Sequence, residues 1–342
     1  MSDSPRPTVS IVAPCYNEEA ALPMFLKALL GVLERLPQSW EVILVDDGST
    51  DRTFEVIRRW CDQRSEFRGI RLSRNFGHQA ALTAGLDACR GDAVITMDSD
   101  LQHPPDLIPV MVREWEAGTG VVLTRRQDRG RTPFLKRFAS AMFYRILSRF
   151  SRIELTPGSS DFRLVDRRVI RAFADCRETH RMLRGLVQWT GFPHTTIPFE
   201  VGDRVAGESK YNLSRMMRLA LDGMFSFSTA PLRAAVLIGL ITSLFSGAYL
   251  IYVLFVHVFR PEVVTAGWTS ILGAILLIGG VQLTFLGIIG EYVGRIYEQV
   301  KERPLYVVRE TSPDGNPLVV PPPQGRYGDP GAGDLARSPL LP

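Results

Sequence analysis

EVILVDDGSTD, residues 41–51, opens as a strand and closes as a turn. Residues 42–45 are apolar and mostly β-branched, too few for an ordinary helix but right for a strand covered on both faces. Asp46, Asp47, Gly48, Ser49, Thr50 and Asp51 then supply turn formers and helix N-caps, so a helix should begin at once. The same grammar extends in both directions. Candidate strands at 8–13, 69–72 and 93–97 alternate with candidate helices over 20–35, 53–64 and 79–88. Alternation of this kind predicts βαβ units and an α/β fold with a mostly parallel sheet flanked by helices.

Past residue 105 the pattern continues with a helix over 106–117, a strand over 120–124 and a charged loop over 125–133. In 134–150, Phe138, Met142, Phe143, Ile146 and Phe150 recur at helical spacing among Lys136, Arg137, Arg145 and Arg149. That helix reads equally as one packed on the core and as one lying on a membrane surface. Two long segments, 234–258 and 268–289, contain no Asp, Glu, Lys or Arg. Each exceeds the ~20 residues needed to cross a bilayer core, which predicts a transmembrane hairpin. Arg215, Arg218 and Arg233 precede it, Arg295, Lys301, Arg303 and Arg309 follow it, and Arg260 is the only basic residue in the connection. The positive flanks place both ends on the cytoplasmic side. Leu213, Met216, Met217, Leu219, Ala220, Met224 and Phe225 form an apolar face just before the first span, as an interfacial helix would. The expected division is a catalytic domain (1–208), interfacial helices (209–232), two transmembrane helices (233–291), a cytoplasmic segment returning to the catalytic domain (292–310) and a disordered Pro- and Gly-rich tail (311–342).

Composition narrows the chemistry. Among 342 residues, 45% apolar and 22% charged, the apolar ones crowd beyond Pro231, as a membrane part requires. The net charge of +4 is modest, but Arg and Lys bunch between Arg125 and Arg152 and between Arg204 and Arg218. Those clusters suit phosphorylated substrates or anionic lipid, and no segment reads as a nucleic-acid module, so no nucleic-acid partner is expected. The four cysteines stand singly, without a C-x-x-C pair, and the polar amino terminus lacks a signal-peptide core, so the catalytic part should stay in the reducing cytoplasm. No G-x-G-x-x-G follows the first strand and no P-loop occurs, which removes the main support for dinucleotide redox or P-loop phosphoryl transfer.

Ligands of open α/β sheets bind beyond the carboxyl ends of the strands. Three acidic loops fall there: PCYNEE (14–19), DDGSTD (46–51) and DSDLQH (98–103). If the extended backbone persists, Asp98 and Asp100 project to one side, a pairing suited to a hard divalent cation whose shell is completed by water and substrate phosphate. Gln102 can add a carbonyl oxygen, whereas His103 matches a hard ion poorly. Asp46 and Asp47 suit a turn and helix cap, contacts to a ribose or base, or both at once.

With these loops read, VSIVAPCYNEE (9–19), VDDGSTD (45–51), LSRNFGHQAALTAGLD (72–87) and MDSDLQHPP (97–105) resemble the inverting family-2 glycosyltransferases of GT-A fold. DFRLVDR (161–167), RGLVQWTGF (184–192), RVAGESKY (204–211) and residues 287–306 are similar to bacterial polyprenyl-phosphate glucosyltransferases and dolichyl-phosphate mannose synthases. The resemblance spans residues 9–308. It implies nucleotide-sugar contacts from Pro14, Tyr16, Glu18, Asp47, Asp98 and Arg204, and a Mg²⁺ or Mn²⁺ ion on Asp98, Asp100 and Gln102. It also implies catalytic roles for Asp100 and Asp161, the latter activating or orienting the acceptor. The other reading of Asp161 is an ion pair with Arg163 at the start of a strand. Candidates for the acceptor phosphate are Arg125, Arg126, Lys136, Arg137, Ser140, Ser209 and Lys210, since Arg grips phosphate oxygens bidentately. The implied substrates are UDP-glucose and undecaprenyl phosphate, with GDP-mannose next. The implied place is the bacterial cytoplasmic membrane, as a multi-pass homo-oligomer, a tetramer being one form, with both termini cytoplasmic. A processive polysaccharide synthase would need more spans and a Q-x-x-R-W sequence that is absent, and a silent scaffold would keep the fold without turnover.

Overall fold

A computed structural model describes residues 7–127, 159–174, 176–179, 181–200, 230–259 and 267–313. The first half runs β1 (Val9–Cys15), α1 (Leu22–Leu33), β2 (Trp40–Asp46), α2 (Thr53–Gln63), β3 (Phe67–Leu72), α3 (His78–Ala88) and β4 (Ala93–Thr96). A 3-10 turn (Pro105–Leu107), α4 (Ile108–Glu116), β5 (Val121–Gln127), β6 (Ser159–Asp166), α5 (Arg167–Ala174), α6 (Leu183–Trp189) and β7 (His194–Glu200) follow. Two long helices, α7 (Ala230–Phe259) and α8 (Trp268–Val300), then lead to β8 (Val308–Ser312). The expected helix over 134–150 and the interfacial segment up to residue 229 lie outside the described residues.

Sheet order is β7-β5-β6-β4-β1-β2-β3-β8. Strands β4, β1, β2 and β3 are parallel neighbours, β7 is parallel to β5, and β6 and β8 run antiparallel to their partners. Six of the eight strands thus run the same way, so the sheet is mostly parallel as expected, with β6 and β8 as its antiparallel members. Crossover helices α1, α2 and α3 impose parallel pairing on the first four strands, but β8 returns from α8 to a free edge, where an antiparallel approach pairs equally well. The chain steps from β1 to β2 to β3 in one direction and then places β4 on the other side of β1. That reversal is a topological switch point, where such sheets form their ligand crevice.

Every residue of β1 is buried, as are Val42, Ile43, Leu44 and Val45 of β2. On one face α1 packs Leu22, Phe25, Leu26, Leu29, Val32 and Leu33 at intervals of three and four, joined by Phe67 and Phe162. On the other lie α3, α6 and Tyr306. Helix α3 comes so close to the sheet that a Cβ on Gly85 would lie 2.2 Å from Val12 Cγ1. The backbone of α3 thus rests directly on β1, which fixes where its amino terminus points.

In the long helices Gly239 of α7 faces the Phe285 ring of α8. One described segment, Leu277–Val300, is long and apolar enough to cross a membrane, and Ala234–Tyr249 is a shorter apolar stretch. The end of α8 is tied to the α/β body: Gln299 Oε1 accepts from Thr179 N at 2.8 Å, and Tyr306 OH donates to Asp87 Oδ2 at 2.8 Å. Thr311 and Ser312, expected to belong to the tail, instead pair with Ile70 and Gly69 in the ladder of β8 on β3, and residues 314–342 lie outside the described residues.

Candidate active site

The loops after β1 and β2 are stitched together. Asn17 takes a positive φ of 55°, a conformation Asn tolerates, which turns the chain out of β1. Its backbone N–H donates to Ser49 Oγ at 2.9 Å, its Oδ1 accepts from Thr50 N at 2.9 Å, and Glu18 N donates to Thr53 Oγ1 at 2.8 Å. Asp46, fully buried, accepts from Ser49 N at 3.0 Å and pairs with Arg71 Nε at 3.2 Å. Burial raises its pKa, and the Ser49 hydrogen bonds and Arg71 work against that rise. Gly48, at φ +66°, is required where it stands: a Cβ there would lie 2.4 Å from the Arg74 carbonyl carbon. Asp51 accepts from Thr53 N at 3.0 Å just ahead of α2, whose N-cap position, Arg52, makes no side-chain cap bond.

These loops and the one after β4 surround a cleft of about 490 Å³ at the carboxyl ends of β1, β2 and β4. Pro14, Tyr16, Glu18, Asp47, Asp98 and Asp100 all line it. Asp47 also has a structural task, accepting from Phe76 N at 2.7 Å and Gly77 N at 2.9 Å, so it pins the loop that starts α3. Burial pushes the Glu18 carboxyl up, and the nearby Asp100, Asp51 and Asp98 add to that rise. Acidic side chains gathered this closely concentrate negative charge that a bound cation would offset.

A hard divalent ion fits this crowding. Asp98 lines the cleft, and its buried Oδ1 has no hydrogen-bond partner, only His78 Nε2 at 3.5 Å. No cluster of three or more His, Cys, Asp or Glu around one point occurs among the described residues. Two carboxylates are nonetheless what Mg²⁺ uses when substrate phosphates complete its octahedron. Gln102 is turned to another use, its backbone N donating to Asp100 Oδ1 at 3.1 Å and its Nε2 to Asp100 Oδ2 at 2.6 Å. It closes a tight turn through Leu101, at φ 62°, and orients Asp100 from behind.

Asp161, at the start of β6, is buried and clamped. Arg163 donates to Oδ1, and Arg184 reaches both oxygens, Nε to Oδ1 at 3.0 Å and Nη2 to Oδ2 at 2.7 Å. Burial alone would raise its pKa, but Arg163, His78 and Arg184 outweigh it and hold the carboxyl well below the usual aspartate range. A carboxylate so stabilised is a poor proton acceptor. Of the two sequence readings of Asp161, the ion pair with Arg163 is present.

Two histidines complete the wall. His78, the first residue of α3, places Nε2 3.5 Å from Asp98 Oδ1 and 3.7 Å from Asp161 Oδ2, linking the two acidic positions. Burial lowers its pKa, but Asp161 and Asp98 more than compensate, so it is raised overall. His103 is buried behind the Asp98 loop, and burial lowers its pKa against the pull of Asp98, Asp100 and Asp161. Reading the sequence did not single out His78 or Arg184, although both fall in recognised motifs; the only signal was His78's place just before a helix. Arg125 and Arg126 stand exposed on β5 and do not line the cleft. Arg204, Lys136, Arg137, Ser140, Ser209 and Lys210 lie outside the described residues.

Comparison with known proteins agrees with this arrangement. Residues 10–174 match the family described as Glycosyl transferase family 2. An uncharacterized glycosyltransferase of Bacillus subtilis, YkcC, is 40% identical over 302 residues, 88% of this chain and 93% of the relative. The SfII prophage-derived bactoprenol glucosyl transferase of Shigella flexneri is 38% identical over 310 residues, 90% of this chain and 99% of the relative. The bactoprenol glucosyl transferase of Shigella phage SfV is 37% identical over 302 residues, 88% of this chain and 98% of the relative. Acidic loops at a topological switch point, a matching family and relatives aligned along nearly their whole length lead to one assignment: the chain belongs to glycosyl transferase family 2.

Proposed function

We propose that this protein transfers a hexose, glucose in the first instance, from a nucleoside diphosphate donor to a polyprenyl phosphate, undecaprenyl phosphate being the expected lipid. The observation that carries the reading is the cleft in which Glu18, Asp98 and Asp100 crowd beside an Asp161 already neutralised by two guanidiniums. Relatives named as bactoprenol glucosyl transferases support glucose and a lipid phosphate as the pair. Asp98 and Asp100 would hold a Mg²⁺ or Mn²⁺ ion, which supplies charge neutralisation of the leaving diphosphate. Pro14, Tyr16, Glu18 and Asp47 bound the nucleotide side of the cleft.

The acceptor needs little activation. A phosphate monoester has a second pKa of about 6, so at neutral pH it is already largely dianionic. A single in-line displacement at the anomeric carbon, with inversion, then asks the protein for positioning and electrostatics more than for a base. Asp161 fits that demand by fixing Arg163 and Arg184, the latter partly exposed. Arg204, Arg125, Arg126, Lys136, Arg137, Ser140, Ser209 and Lys210 remain the candidates for gripping the two substrates' phosphates.

Both long helices are taken to cross the bilayer, with the α/β body and both termini cytoplasmic, on the strength of Arg233, Arg295, Lys301 and Arg303 at their flanks. One experiment addresses chemistry and sidedness. Membrane vesicles of both orientations, carrying the protein and undecaprenyl phosphate with Mg²⁺, are given a panel of labelled nucleotide sugars. Label from UDP-glucose should enter the lipid phase only where the cytoplasmic face is accessible. If no donor labels lipid in either orientation, the reading is wrong.

A further inference from the structure

The β4–β6 ladder ends at the pair Thr96 and Arg163, two residues short of Asp98 and Asp161. Continued in register, the antiparallel pairing would set those two carboxylates opposite each other, but no ladder bond holds them there. Besides His78, which faces both carboxylates, a second side chain spans the gap behind them. His103 Nδ1 accepts from Asp98 N at 2.9 Å, and His103 Nε2 lies 2.7 Å from Ser160 Oγ, on the residue before Asp161.

These contacts determine the ring's protonation. A backbone N–H can only donate, so Nδ1 carries no proton, and a neutral imidazole then carries it on Nε2. Ser160 Oγ accepts that proton and also receives Phe162 N–H at 3.2 Å. The ring is gripped on its faces as well, stacked on Phe162 at 5.2 Å and meeting the edge of Phe199 at 5.9 Å. Both ring nitrogens are thus committed, and neither is available as a metal ligand. Thr96 Oγ1 adds a tie to the Asp161 carbonyl at 2.5 Å, so the spacing is braced from both strands.

We propose that His103 is a positioning residue for the transfer reaction: as a neutral, Nε2-protonated bridge between the Asp98 backbone and Ser160, it sets the separation of the donor-side and acceptor-side carboxylates. This rests on the function proposed above. Nucleophile and leaving group must align for displacement, and misplacement by an ångström costs ~100-fold in rate. The bridge should therefore be visible in turnover and not in donor affinity.

The test compares full-length wild type, His103→Asn, Ser160→Ala, Ser160→Thr and the double variant His103→Asn/Ser160→Ala. Asn keeps an amide oxygen for Asp98 N–H but cannot reach Ser160. At a temperature where they are folded, both breaking variants should lower kcat by about 10- to 100-fold, with donor KM and Mn²⁺ affinity close to wild type. Ser160→Thr should restore turnover, and the double variant should be no worse than the worse single one, as for residues acting in one unit. Loss of Mn²⁺ affinity in His103→Asn, a rise in donor KM at constant kcat, or multiplying defects would each overturn the proposal. Nitrogen NMR of the His103 ring at neutral pH tests the bridge without substrate: a proton on Nε2 supports it, and a proton on Nδ1 ends it. Wild type that labels no lipid while showing the Nε2 proton overturns the function and leaves the bridge standing.

Discussion

Asp161 and Asp100 are both acidic site residues, yet their surroundings assign them different consequences. Arg163 is buried beside Asp161, so Asp161→Asn leaves a guanidinium without its charge partner in the interior. Breaking a buried pair from one side costs ~3–5 kcal/mol. Asp161→Asn should lower the denaturation midpoint markedly, whereas Asp100→Asn, whose partner is Gln102, should leave it near wild type. At a temperature where both variants are folded, Asp100→Asn should lose transfer more completely. Equal and total loss in both, with folding and donor binding intact, would sink the orienting role of Asp161. The sign of the pH dependence follows. Asp161 has a folded pKa below its unfolded value of about 3.9, so the unfolded chain binds more protons in the window between them. Its stabilisation is present above that unfolded value and disappears as pH falls through the lower folded one. His78 shows why side-chain identity was an incomplete guide. Nothing in a lone His at a helix start announces that it will face Asp98 and Asp161 from Nε2, because that relation exists only once β4, β6 and α3 are assembled.

Among the elements, β1 to β4 were legible because strands covered on both faces must be continuously apolar and because turn chemistry marks their ends. β6 was legible only as one of two readings of DFRL, because DFRLVD carries Asp161, Arg163 and Asp166, whose partners Arg184, Trp115 and Arg168 make the strand possible. β8 was hidden because VRETS is polar, as an edge strand can be, and its pairing depends on a β3 far back in the chain. That the two carboxylates of the Asp98 loop stand at a strand end and line the cleft was legible, whereas Gln102's turn toward Asp100 was not, since an amide reads alike as ligand or as brace. α3 offers a direct test of element packing. A methyl group on Gly85 would sit 2.2 Å from Val12 Cγ1 on β1, where β-branching leaves little room to yield. Overpacking costs ~1–3 kcal/mol against a helix-propensity gain of ~1 kcal/mol for Gly→Ala. Gly85→Ala should therefore come out neutral to about 2 kcal/mol less stable by denaturant titration, with the larger value if α3 cannot lift. A net gain of 1 kcal/mol would mean that α3 is not pressed on β1.

At the scale of the whole molecule, the catalytic body is not a contiguous stretch of chain. Its outermost strand, β8, comes after both long helices, and Glu310 there pairs with Arg71, which in turn holds Asp46 beneath the donor loop. Production on the ribosome inherits this arrangement. Some 240 residues separate Leu72 of β3 from its partner Val308, roughly 10–50 s of translation. Throughout that interval β3 has no neighbour on its outer side, and unpaired edges invite association with other chains. Nascent chains arrested before Val308 should be more readily cleaved by protease across β3 than chains arrested well past Ser312; equal cleavage would show that the edge is closed without β8. On the proposed function, insertion of the long helices into the bilayer precedes completion of the sheet, and an enzyme taking a membrane lipid as acceptor would acquire its finished site only after reaching the membrane that holds that lipid.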